Sequence, residues 1–158
     1  MNTFKISTCR AEETVHSGTR LARFLEAGDI VCLFGELGSG KTTFVKGLAK
    51  GLRIQGSKVV SPTFVLLNIY EGKLPLYHFD FYRLEKINEI ALLGFEEFFY
   101  GQGICVIEWA DRLGDLMPKG NLAVCFSHKG EDKREIAFKG LGPRYKRLIE
   151  KCKGSMKK

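Results

Sequence analysis

Residues Gly35 to Thr42 read Gly-Glu-Leu-Gly-Ser-Gly-Lys-Thr, a G-x-x-x-x-G-K-[ST] pattern suited to one kind of chemistry. A polyphosphate carries dense negative charge, so a chain that binds it must wrap its backbone closely and aim N–H groups inward. Gly35, Gly38 and Gly40 permit that approach and the dihedrals it requires. A helix starting near Lys41 would add unpaired N–H groups and the positive end of its dipole. Lys41 can reach β- and γ-phosphates, and Thr42 offers a hydroxyl to magnesium, a hard cation that prefers oxygen ligands. The expected cradle therefore runs through Gly35, Glu36, Leu37, Gly38, Ser39, Gly40, Lys41, Thr42 and Thr43. A chance match is expected roughly once in a few hundred chains of this length. Here the match also lies between a buried strand and a helix, as phosphate binding requires. ATP with Mg2+ is the expected ligand pair.

The metal of such a site needs an acidic group nearby. Glu108 directly follows the apolar run Ile104-Cys-Val-Ile107, and Asp80 lies within His78-Phe-Asp-Phe-Tyr-Arg83. Period-two alternation puts His78, Asp80 and Tyr82 on one face of a strand, with Phe79 and Phe81 on the other. Lys41, Asp80 and Glu108 are the catalytic candidates. Thr42, Glu108 and Asp80 are the metal candidates, and the residues leave open which carboxylate meets the metal directly and which through water. Arg83 is both a natural ion-pair neighbour for Asp80 and a candidate for steadying phosphate charge. His78 reads as a packed or hydrogen-bonded histidine rather than a base. Ser61-Pro62-Thr63, one helix beyond the cradle, occupies the position of a loop that senses the γ-phosphate.

The elements that must hold these residues can be read from periodicity. Thr3 to Ser7 alternates as a short strand, and Ala11 to Ala27 has helical apolar spacing, ending at Gly28. Ile30 to Phe34 is a continuous apolar run, the mark of a strand covered on both faces. A helix over Lys41 to Leu52 follows. Thr63 to Tyr70 and Leu74 to Tyr82 form a hairpin around Glu71-Gly72-Lys73. Ile87 to Tyr100 holds one or two short helices broken near Gly94, and Ile104 to Ile107 is another buried strand. Leu122 to Phe126 and Glu135 to Phe138 are weaker strand candidates, and Pro143 opens a final helix. This order predicts an α/β sandwich of the P-loop NTPase type. Its central sheet is mostly parallel with an antiparallel hairpin, and helices cover both faces. With no repeat or Pro/Gly-rich linker, residues 1–158 are expected to form one domain.

Composition excludes several classes. No apolar run approaches the ~20 residues that cross a bilayer, and Met1-Asn-Thr-Phe-Lys-Ile has no secretory pattern, so a cytoplasmic location without membrane contact is expected. Five scattered cysteines without a CxxC pair argue for reduced thiols and no zinc. The formal charge of +7 is concentrated at the end. Pro143 to Lys158 holds seven basic residues and one acid, leaving the remainder nearly neutral. Such a tail can attract RNA, but without an aromatic or RNA-module pattern it reads as a solvated, fraying helix end.

Gly35-Glu-Leu-Gly-Ser-Gly-Lys-Thr42, Ser61-Pro-Thr-Phe64, His78-Phe-Asp-Phe-Tyr-Arg-Leu84 and Ile107-Glu-Trp109, in this order, resemble the TsaE (YjeE) family over nearly the whole chain. The resemblance implies an ATPase needed for making N6-threonylcarbamoyladenosine in tRNA. It would act with the TsaD–TsaB heterodimer rather than transfer the group itself, with tRNA contact indirect. By position, the resemblance gives Lys41 to the phosphates, Thr42 and Glu108 to magnesium, and Asp80 to the metal region or attacking water. It makes Ser61 to Thr63 a nucleotide-responsive loop and packs Trp109 beside the site. Thr8 and Arg134 would lie near the adenosine. Two rival readings remain at this level. A small-molecule kinase would use Asp80 and Arg83 on an acceptor, although no arginine-rich lid follows Glu108. A nucleotide-dependent interaction or RNA-binding module without significant catalysis would rely on the basic tail.

Overall fold

The apolar runs settle into a single sheet in a computed structural model describing residues 2–55, 58–60, 66–84 and 94–157. Its strands are β1 (Thr3–Thr8), β2 (Ile30–Phe34), β3 (Leu67–Tyr70), β4 (Leu76–Asp80), β5 (Ile104–Glu108), β6 (Asn121–His128) and β7 (Arg134–Leu141). The helices are α1 (Ala11–Ala22), α2 (Lys41–Gly51) and α3 (Pro143–Met156). Spatial order is β1-β7-β6-β2-β5-β4-β3. The middle of the sheet, β6-β2-β5-β4, is parallel. Both margins are antiparallel, β3 on β4 at one side and β6-β7-β1 at the other. The sheet is thus mixed with a parallel centre, as the sequence predicts. The second antiparallel margin arises because a short turn, closed by the Lys129 amide on the Lys133 carbonyl at 2.8 Å, folds β7 back on β6, and β1 adds to the far side of β7.

Alternation along the central strands divides the core. Val31 and Leu33 of β2 and Ile104 and Val106 of β5 pack under α1, α2 and α3. Ile30, Cys32, Cys105 and Ile107 face the opposite side, where Phe79, Phe81, Phe95 and Phe99 form an aromatic cluster. Among the described residues that second face is covered by two 3-10 segments, Phe95–Phe98 and Ala110–Leu116. The same period-two rule places His78, Asp80 and Glu108 on the α2 side, in line with Leu76, Ile104 and Val106.

Two expectations need adjustment, and others fall on residues outside those described. The first helix stops at Ala22 rather than Ala27. The Asp29 carboxylate accepts the Glu26 amide at 2.7 Å, which closes residues 26–29 into a turn instead of another helical turn. The proposed switch residues Ser61, Pro62 and Thr63, the beginning of the strand expected from Thr63, and residues 87–93 of the expected short helices lie outside the described residues. The basic C-terminus is not a fraying end. α3 runs through Met156 and buries Tyr145, Leu148, Ile149, Cys152 and Met156, while Lys146, Arg147, Lys151 and Lys153 face solvent.

Two contacts tie α3 to the start of β2, the strand that leads into the glycine loop. The Ile30 amide donates to Tyr145 Oη at 2.9 Å. Arg144 grips Asp29 with two bonds, Nε to Oδ1 at 3.0 Å and Nη2 to Oδ2 at 2.7 Å, the strong bidentate form. Burial pushes the Tyr145 phenol up to about 12, so it remains a neutral hydroxyl there.

α1 and α2 cross where glycine meets glycine. A Cβ on Gly47 would stand 2.8 Å from the Val15 carbonyl carbon and 3.0 Å from Gly18 Cα. A Cβ on Gly18 would stand 2.9 Å from the Leu48 nitrogen. All these neighbours are backbone or Cα atoms and cannot rotate aside. Thr19 fastens the crossing by donating its hydroxyl to the Gly47 carbonyl at 3.0 Å.

Gly47→Ala should therefore lower stability by about 2 kcal/mol or more, the range for overpacking. Read as a melting shift, that is a fall of roughly 4–8 °C for a domain of this size; an unchanged melting curve would show that the helices separate freely. Thiol chemistry gives a second check. Burial pushes Cys32 and Cys105 up to about 12 and Cys152 up to about 11, whereas Cys9 is exposed. Because the thiolate is the reactive form, alkylation near pH 8 followed by mass spectrometry should label Cys9, with Cys32, Cys105 and Cys152 reacting after unfolding.

Candidate functional site

The parallel strands β2, β5 and β4 all end at the same edge of the sheet, where α/β folds hold their ligands. Register fixes which residues meet there. Leu33 of β2 stands beside Glu108 of β5, and Glu108 stands beside Asp80 of β4. The turn after β2 then leads into α2. Its glycines adopt the geometry their spacing predicts: φ is 77° at Gly38 and 110° at Gly40, values that other residues adopt at a cost. A Cβ on Gly38 would meet nothing within 4 Å, so the loop presents bare backbone to an open space. No side chain caps α2, and its first-turn amides have no acceptor within the helix.

Lys41 is 4% exposed and turns back over this loop. Its ammonium donates to the Gly35 carbonyl and, at 3.0 Å, to the Glu36 carbonyl. It also stands 4.2 Å from the centroid of the Trp109 ring, a cation–π distance. Loss of hydration pulls this ammonium below its usual pKa, an effect that Glu108, Asp80 and Asp111 offset in part. Trp109 has φ 58°, a strained value for a bulky residue, and its ring packs tilted against Tyr82 with centroids 4.9 Å apart.

Thr42 and Glu108 meet directly. The Thr42 hydroxyl lies 2.9 Å and 3.0 Å from the two Glu108 carboxylate oxygens. Asp80, also buried, accepts the Tyr82 amide at 2.9 Å. Arg83 is exposed beyond Tyr82. These groups border a cavity of about 500 Å³, lined on the loop side by Leu37, Gly38, Gly40, Lys41, Thr42 and Thr43 and on the strand side by Asp80, Tyr82, Glu108 and Trp109. Its volume suits a nucleotide-sized ligand.

The far wall holds Arg10, Ala11, Thr14, Asp132 and Arg134. Thr8 stands behind that wall. It pairs with Arg134 across β1 and β7, and its hydroxyl lies 2.9 Å from that of Thr14. The structure thus brings the loop, Asp80, Glu108, Trp109 and Arg134 to one cavity. Gly35, Glu36 and Ser39 shape the loop, the last with a buried hydroxyl lacking a partner among the described residues. Arg10, Thr14 and Asp132 were not anticipated. They belong to segments that carry no motif, and the folding of β7 against β1 brings them in.

The donor set fits magnesium shared with a nucleotide. Thr42, Glu108 and Asp80 offer oxygen atoms alone. Among the described residues no three His, Cys, Asp or Glu side chains cluster closely enough to hold a metal unaided. Magnesium is commonly held this way, by one or two protein oxygens with phosphates and water completing the octahedron.

A parallel-centred sheet with a glycine loop leading into a helix at its C-terminal edge defines the P-loop NTPase fold. The comparisons agree: the crystal structure of Bacillus subtilis YdiB superposes with a TM-score of 0.82 at 38% identity, over 97% of this chain and 95% of that one. The family model described as "Threonylcarbamoyl adenosine biosynthesis protein TsaE" matches residues 8–136. Two curated relatives carry the name "tRNA threonylcarbamoyladenosine biosynthesis protein TsaE". The one from Bacillus subtilis (strain 168) is 43% identical, over 95% of this chain and 94% of its own length. The one from Treponema pallidum (strain Nichols) is 44% identical, over 80% and 93%. The chain belongs to the TsaE family.

Trp109 is the single tryptophan and touches Lys41, so it reports on the loop. Drawing the ammonium onto phosphates removes a cation from the indole face, and adding ATP with Mg2+ should change the emission intensity. In Lys41→Ala the starting intensity should differ and the ATP-dependent change should vanish; an ATP response identical to that of the unaltered protein would place the phosphates elsewhere.

Proposed function

We propose that this chain binds ATP with Mg2+ and hydrolyses it as the ATPase component of the machinery that makes N6-threonylcarbamoyladenosine in tRNA. It acts in the cytoplasm as one domain, together with the TsaD–TsaB heterodimer, and meets tRNA indirectly through that assembly. The observation that carries the reading is the contact of the Thr42 hydroxyl with the Glu108 carboxylate beside an uncapped glycine loop. Names of relatives support the pathway.

In this reading the loop amides and Lys41 hold the phosphate oxygens and stabilise the charge that develops on them. Lys41 leaves the Gly35 and Glu36 carbonyls to do so. Thr42 and Glu108 would hold Mg2+, which would supply positive charge to offset that of the phosphate oxygens. Asp80, buried at the end of the neighbouring strand, orients the attacking water or a water of the metal. Arg10, Thr14, Asp132 and Arg134 supply the wall against which the nucleoside lies, with Thr8 supporting Thr14. Ser61 to Thr63 act as the nucleotide-responsive loop. Arg83 or an arginine of the partner completes the charge balance, which makes turnover by the isolated chain weak.

Lys41→Ala should abolish ATP turnover; normal steady-state phosphate release by that variant would refute the site. Pull-down with TsaD–TsaB, with and without ATP, should show nucleotide-dependent association. Turnover without association in either state would leave an ATPase of a different pathway.

A further inference from the structure

Glu108 has a second side-chain partner besides Thr42. His78 Nε2 lies 2.6 Å from Glu108 Oε2, and the imidazole is wholly buried. Its other nitrogen, Nδ1, has no partner among the described residues. These facts assign the proton. A carboxylate can accept but not donate, so the short contact requires an N–H at Nε2. His78 therefore presents an Nε2–H to the Glu108 carboxylate.

Its place in the fold is equally specific. His78 alternates with Leu76 and Asp80 on the face of β4 that looks toward α2, and it lies beside Val106 on β5. An apolar residue would fill such a position without the cost of burying a ring nitrogen. What the histidine adds is a donor fixed to a strand. Thr42, the other partner of Glu108, sits on the helix that the phosphates engage, and its hydroxyl oxygen is also the atom offered to the cation. His78 has no such competing duty.

We propose that His78 is a positioning residue: its Nε2–H holds the Glu108 carboxylate facing Thr42 and the cavity, ready for a divalent cation. This rests on the assignment of Glu108 to the metal under Proposed function. Donors behind a metal-binding side chain typically govern 10–100-fold in metal affinity.

The test uses Mn2+ as the probe, its binding to the full chain with ADP followed by electron paramagnetic resonance. His78→Leu should weaken Mn2+ binding about 10–100-fold while leaving metal-free ADP binding unchanged, a separation that loss of structure would not produce. His78→Gln, whose amide nitrogen can occupy the place of Nε2, should recover most of the affinity. Nitrogen-15 NMR of the unaltered protein should show a proton on His78 Nε2; this needs no variant to fold, and an Nε2 that carries no proton overturns the proposal. If Glu108→Gln weakens Mn2+ binding but His78→Leu does not, positioning by His78 is refuted and the metal assignment stands. If Glu108→Gln has no effect, both fall.

Discussion

Thr42 and Glu108 are separated by sixty-six residues, yet their side chains share a hydrogen bond. Much of the architecture serves that contact. Thr42 belongs to the first turn of α2, whose entry is dictated by the glycine loop after β2. Glu108 is the last residue of β5, and its register against Leu33 places the carboxylate level with that turn. A register slip of one residue would turn Glu108 toward the aromatic cluster on the opposite face. The close glycine crossing of α1 and α2 sets how near α2 lies to the rest of the helical layer, and the Arg144 and Tyr145 contacts anchor the beginning of β2.

The charges at the site are arranged so that it can receive an anion. Lys41 is a buried cation held by two carbonyls and an indole ring, none of which carries a full negative charge. Its lowered pKa reflects that desolvation. The acids Asp80 and Glu108 are buried as well, each at the end of a strand, with hydrogen bonds that hold them in place. A polyphosphate with a divalent cation would satisfy both sets at once. The cation would meet the carboxylates, and the phosphates would meet the lysine and the amides.

Much of this was legible in the sequence because it is local. The glycine spacing specifies positive φ values within a few residues, and the apolar run before it specifies a strand buried on both faces. Alternation in His78-Phe-Asp-Phe sorts ring from acid without any distant information. The aromatic residues behave accordingly, Phe79 and Phe81 entering the lower core. Local signals also mislead. The apolar spacing of Ala11 to Ala27 carries no trace of the Asp29 side chain that turns the chain early, and the charge of the last residues conceals the apolar stripe that makes α3 part of the core.

The sequence by itself determined the glycine loop, the strands beside it and the acids at their ends, since each depends on neighbours within one or two turns of chain. Tertiary structure decided what those residues touch. The far wall of Arg10, Thr14, Asp132 and Arg134 exists because β1 pairs with β7, a contact between the two ends of the chain. The grip of His78 on Glu108 exists because β4 lies beside β5 in one register. Pairing between distant strands depends on the summed burial of two whole faces, and no short stretch of sequence contains that sum.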